Sequence, residues 1–113
     1  MPPSSTAFPS HIRQIVQELR ARLEDLYEDR LHDVVLYGSH AREEATDASD
    51  VDIMVVLEGE VDAWAELQRM AEPVYDLELE TGELISLYPI ARTAFEHRDL
   101  ALLTNVRREG VRV

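Results

Sequence analysis

Gly38 and Ser39 are followed, after a spacer of ten residues, by Asp50-Val51-Asp52. Val34-Val35-Leu36-Tyr37 leads into the Gly-Ser pair, and Ile53-Met54-Val55-Val56-Leu57 continues from the second aspartate. Side chains two apart on a strand share a face, so Asp50 and Asp52 are expected to converge beside the amides of the Gly38-Ser39 turn. Paired carboxylates hold a hard divalent cation, and turn amides with a hydroxyl hold phosphate oxygens. Together they suit a magnesium-bound nucleoside triphosphate, with Gly38 allowing close backbone approach. Two aspartates opening an apolar strand repel one another and are poor strand formers, which calls for a compensating ligand. The plainer reading is a loop end closed by local hydrogen bonds of Ser49 and Asp50. Arg42, three residues after Ser39, is placed to reach a triphosphate oxygen or to pair with Glu43, Glu44 or Asp50 at little gain. His40 reads as a spacer, and His11, His32 and His97 have no ligand-like spacing.

Composition narrows the field. Aspartate and glutamate outnumber the basic residues 23 to 11, for a formal net charge of -12, which disfavours a sequence-independent grip on nucleic acid. Every basic residue is Arg, so lysine-dependent phosphate loops and Schiff bases are excluded, and any cationic phosphate contact is a guanidinium. With no Cys there is no disulfide, thiolate zinc site or cysteine nucleophile. No apolar run approaches a membrane span of ~18 residues and no signal pattern opens the chain, so a soluble cytoplasmic protein is expected.

Periodicity supplies the elements that would position the motif. Residues 1–9, with three prolines and two serines, read as a flexible leader to a single domain over residues 10–113. Ser10 reads as an N-cap for an amphipathic helix from His11 to about Asp29, its apolar face either core or an interface between copies. Strands are expected at Val34–Tyr37, Ile53–Leu57 and Leu84–Ile90, with a helical turn over Ala41–Glu44. A second long helix spans Val61 to about Glu80, broken or kinked near Pro73. Ala65, Leu67, Met70, Val74, Leu77 and Trp64 are available to its core face, its acids form a solvated face, and Thr81-Gly82 closes it. Asp99–Arg108 is a last helix stopped by Gly110, and Val111–Val113 a tail. The order is α/β, and strand direction stays open on pattern alone.

Gly38-Ser39, ten residues and Asp50-x-Asp52, with Ala41-Arg42 after the Gly-Ser pair, resembles the signature of the MNT-type minimal nucleotidyltransferases. These belong to the DNA polymerase β-like nucleotidyltransferase superfamily. Element order agrees over residues 12–113, and the specific part is Tyr37–Leu57. The resemblance implies a small mixed β-sheet with helices packed on it and two Mg2+ ions at Asp50 and Asp52. It implies phosphate binding by Gly38 and Ser39 with Arg42 as auxiliary cation, and transfer of a nucleoside monophosphate, AMP from ATP, to an acceptor hydroxyl. It also implies a HEPN-domain toxin as partner, with the minimal transferase as antitoxin. Active members commonly carry a third carboxylate on the next strand. Here that position aligns with Ser86, and Glu83 serves only if the strand begins irregularly. A catalytically weak protein that binds and neutralises its partner is therefore the alternative. A free-standing small-molecule transferase fits less well, because it needs further segments to build an acceptor pocket.

Overall fold

The structure, a computed structural model, describes residues 10–42, 44–46 and 49–113. The leader at 1–9 and the spacer residues Glu43, Asp47 and Ala48 lie outside the described residues. Four strands form one mixed sheet in the order β3-β2-β1-β4. β1 (Leu31–Tyr37) runs antiparallel to β2 (Val51–Leu57), β2 runs parallel to β3 (Ile85–Ala91), and the short β4 (Val111–Arg112) is antiparallel to β1. The fold is α+β, as the mixed-sheet expectation had it.

Each face of the sheet is covered. On one lie α1 (Ser10–Tyr27) and α2 (Ala63–Thr81), whose Ile12, Val16, Leu19, Leu23, Met70 and Leu77 pack with Val34, Leu36, Ile53 and Val55. On the other, α3 (Arg92–His97) and α4 (Ala101–Glu109) bury Phe95, Leu103 and Val106 against Val35, Met54, Val56 and Ile90. β1 and β2 therefore read as continuous apolar runs, because each strand is buried on both sides. α2 makes the crossover that a parallel β2–β3 pair requires.

Several boundaries differ from the sequence reading. α1 gives way to a 3-10 turn at Glu28–Arg30, and Ser10 lies within the helix. α2 runs through Pro73 as one helix, starting after Asp62, whose carboxylate accepts the Ala65 amide at 3.3 Å. The Pro73 carbonyl accepts a bond from Arg22 Nη1 at 3.1 Å, which ties the proline-containing turn to α1. Gly82 closes the helix in the left-handed conformation, as expected. Trp64, 70% exposed, and Ala65, also exposed, are not core, and Tyr27 takes the buried place at the end of α1 while Leu26 faces outward. α3 and β4 were not anticipated. Six residues without a side-chain cap give little signal, and β4 exists only because β1 offers it an open edge. Gly110 makes that return feasible: a Cβ there would stand 2.5 Å from the Val106 carbonyl oxygen and 2.5 Å from Val35 Cγ1.

Candidate active site

The Gly-Ser turn and the Asp-x-Asp strand meet because β1 and β2 pair antiparallel with Tyr37 opposite Asp52. The chain leaves β1 through Gly38, whose φ of 75° lies in the left-handed region that favours glycine. A Cβ at this position would come within 2.3 Å of Asp52 Oδ2, so the turn backbone is packed directly on that carboxylate. Residues 38–42 then make a helix-like turn in which the Arg42 amide donates to the Gly38 carbonyl at 3.2 Å and the Glu44 amide to that of Ser39 at 2.9 Å. The helical turn expected at Ala41–Glu44 therefore starts earlier, on the Gly-Ser pair itself.

Electrostatics gather the same residues. Burial first, and then the neighbouring Asp50 charge, raise the Asp52 carboxyl above its usual range, while His40 and Arg42 pull it down. Asp50 is exposed and Asp52 half-buried, so one carboxylate stands at the mouth and the other against the turn. Tyr37 is raised by burial, by Asp52 and by Tyr88, which places both phenols around the same end of the sheet. Arg42 lies 3.4 Å from Glu44 and 4.0 Å from Glu109 at the end of α4, and its field reaches Asp52.

The register fixes what lies beside Asp52 on the next strand. Asp52 is paired with Ser86 across the parallel β2–β3 ladder, so the neighbour on the next strand is a hydroxyl. Glu83 precedes β3 and lies 3.7 Å from His11 on α1. No cluster of three or more acidic, His or Cys groups able to hold a metal occurs among the described residues. Asp50 and Asp52 offer two carboxylates to a cation. That suits Mg2+ arriving with a triphosphate, where phosphate and water oxygens fill the remaining positions, better than a cage made by protein alone.

Sequence reasoning passed over two residues. His40 is 6% exposed, and neither ring nitrogen has a hydrogen-bond partner among the described residues. Its place immediately after Ser39 was the one available signal, and nothing local marks it as buried. Glu66, assigned to a solvated helix face, is instead buried and accepts from the Tyr27 hydroxyl at 2.9 Å. His32, read as without a partner, lies 3.2 Å from Glu58.

Residues 12–106 match the family model for the nucleotidyltransferase domain. The fold is similar to that of a candidate nucleotidyltransferase from Sulfolobus solfataricus, with 18% identity and a TM-score of 0.58 over 92% of this chain and 86% of that one. It is also similar to a chain from a mutant of the toxin-antitoxin pair MntA-HpeT, with 20% identity and a TM-score of 0.56 over 89% of this chain and 69% of that one. At these identities the two structures speak for the fold. No curated protein matches the chain significantly. No helix among the described residues is long and apolar enough to cross a membrane.

Proposed function

Given that the chain belongs to the nucleotidyltransferase domain family, we propose that it transfers a nucleoside monophosphate, AMP from ATP, to a hydroxyl of a partner protein. The observation that carries this reading is the packing of the Gly38 backbone on Asp52, with Asp50 acting on the same carboxyl. Asp50 and Asp52 would hold up to two Mg2+ ions, which supply polarisation of the α-phosphate and neutralise charge on the leaving pyrophosphate. Gly38 and Ser39 seat the β- and γ-phosphates on turn amides and a hydroxyl. Arg42 exchanges its Glu44 and Glu109 contacts for a phosphate oxygen. The acceptor oxygen bonds to the α-phosphorus, the bond from that phosphorus to the bridging oxygen breaks, and the acceptor proton leaves to solvent.

The fold shared with a chain of the MntA-HpeT toxin-antitoxin pair supports a toxin-antitoxin setting, and the family resemblance points to a HEPN-domain toxin as the partner with this chain as antitoxin. Ser86 favours a second reading, in which the fold binds nucleotide weakly and acts mainly by covering the partner. A hydroxyl contributes far less to magnesium than a third carboxylate would.

Calorimetric titration with ATP, with and without Mg2+, tests the site, and label from α-labelled ATP tests transfer. Magnesium-dependent binding lost in Asp50→Asn, with transfer abolished in Asp52→Asn, is the expected outcome. Label transfer undiminished in Asp52→Asn removes the mechanism. If wild type binds but does not transfer, and Ser86→Asp restores transfer, the second reading holds.

A further inference from the structure

β3 is an edge strand, and its outer side opens onto a groove of about 460 Å³. The groove is lined by the unbroken run Leu87–Ala91, by Val61, Ala63 and Leu67 around the start of α2, and by Ala94 and Arg98 at α3 and just beyond it. The Val51 amide donates to the Leu84 carbonyl at 2.8 Å, so in the parallel register the peptide groups of Leu84, Ser86, Tyr88 and Ile90 face β2. Those of Ile85, Leu87, Pro89 and Ala91 face outward. The Ile85 amide is taken by Glu78 Oε2 at 2.8 Å, which seals the lower end of the edge. Above that seal, the Leu87 amide and carbonyl, the Pro89 carbonyl and the Ala91 amide point into the groove.

Open edges of this kind are usually blunted. Pro89 removes one donor, which weakens indiscriminate pairing and still leaves those four groups. Arg98 adds a second, independent feature. In a chain with 23 acidic residues, its guanidinium has neither an ion pair nor a hydrogen bond among the described residues. Apolar walls, exposed strand hydrogen-bonding groups and one unpaired cation at the rim fit an extended polypeptide carrying aliphatic side chains and a carboxylate.

We propose that the groove beyond β3 docks an extended, acid-bearing segment of a partner protein as an added strand. Ser86, paired with Asp52, immediately precedes the open stretch. A segment laid along Leu87–Ala91 would lie two strand spacings, about 9.5 Å, from β2, with its end beside Ser86 at the same end of the sheet as the carboxylates. On the reading of a protein acceptor proposed above, the groove presents the acceptor hydroxyl to the nucleotide. Docking itself does not depend on that reading. Residues 1–9 contain no acid to meet Arg98, and pairing two copies edge to edge would bring together chains of net charge -12.

The test is a random display library of short peptides panned on the full chain without nucleotide. Enriched peptides should alternate β-branched residues, share an acidic residue, bind one to one and shift the backbone amide resonances of Leu87 and Ala91. Arg98→Glu should weaken them about tenfold or more, as loss of a charged hydrogen bond does, with Mg–ATP binding unchanged. Asp52→Asn should bind the same peptides as wild type, so failure of transfer and failure of docking are told apart. No enrichment, shifts confined to other residues, or equal binding by Arg98→Glu would overturn the proposal. So would protection of the Leu87 and Ala91 amides in the free protein. Protection that grows with concentration assigns the edge to a second copy, and protection lost on removing residues 1–9 assigns it to the chain's own leader.

Discussion

The fold disfavours the charged form of Asp52. Burial and Asp50 raise its carboxyl above the ordinary range, against the opposing pull of His40 and Arg42. The folded chain therefore holds this proton more tightly than the unfolded chain does. Stability is greatest below the ordinary aspartate range, falls as pH rises through the window between ordinary and raised values, and stays lowered above it. Asp52→Asn removes the penalty, and on the proposed function it also disables the site. In magnesium-free buffer it should melt at a higher temperature than wild type at pH 7, with the difference closing as pH falls below the ordinary aspartate range. Equal melting temperatures at pH 7 would show that the Asp52 charge costs the fold nothing. The Gly38-Ser39 and Asp-x-Asp signature was legible here because its residue types are fixed by chemistry and its strands by plain apolar runs. His40 was not, since burial of a turn residue depends on what packs over it.

Among the elements, α2 departs most from a simple amphipathic pattern. Its core face holds Met70, Val74 and Leu77, and also Glu66, which joins Tyr27 at 2.9 Å, Arg30 at 3.3 Å and Arg69 at 3.8 Å. The network binds the start of α2 to the end of α1 and explains why Tyr27, not Leu26, turns inward. Glu66→Ala should cost about 1–3 kcal/mol by leaving the buried Tyr27 hydroxyl only the long contact to the residue 66 carbonyl, 3.5 Å away, and Glu66→Gln less, because it keeps a side-chain acceptor. Urea unfolding of the two variants beside wild type measures both, and an alanine variant as stable as wild type would contradict the role. An acid at a core position looks like any other helix acid in sequence. Its partners Arg30 and Tyr27 lie 36 and 39 residues away along the chain, and helical periodicity carries no information across that distance.

At the scale of the molecule, a net charge of -12 is confined to a body measuring 34 × 31 × 26 Å. The Debye length is about 30 Å at 0.01 M salt and about 8 Å at 0.15 M, so like charges across the whole body repel at the lower concentration and are largely screened at the higher. The melting temperature should therefore rise between those two concentrations, as self-repulsion of a highly charged fold predicts. A melting temperature that is flat or falls with salt would mean that the local ion pairs, such as Arg22 with Glu80 and Arg92 with Glu58, outweigh the net charge.

By itself the sequence determined the family motif and the parts. Asp50, Asp52, Gly38 and Ser39 could be named, along with three strands, two long helices and the order that puts them in an α/β framework, because residue type and local period encode those directly. Tertiary structure decided what depends on contacts between distant segments. It set the antiparallel and parallel pairings, placed Ser86 beside Asp52 instead of an acid, and returned the chain through Gly110 to make β4. It also left β3 at the edge with its outer peptide groups open, because strand order follows from which faces each helix can cover.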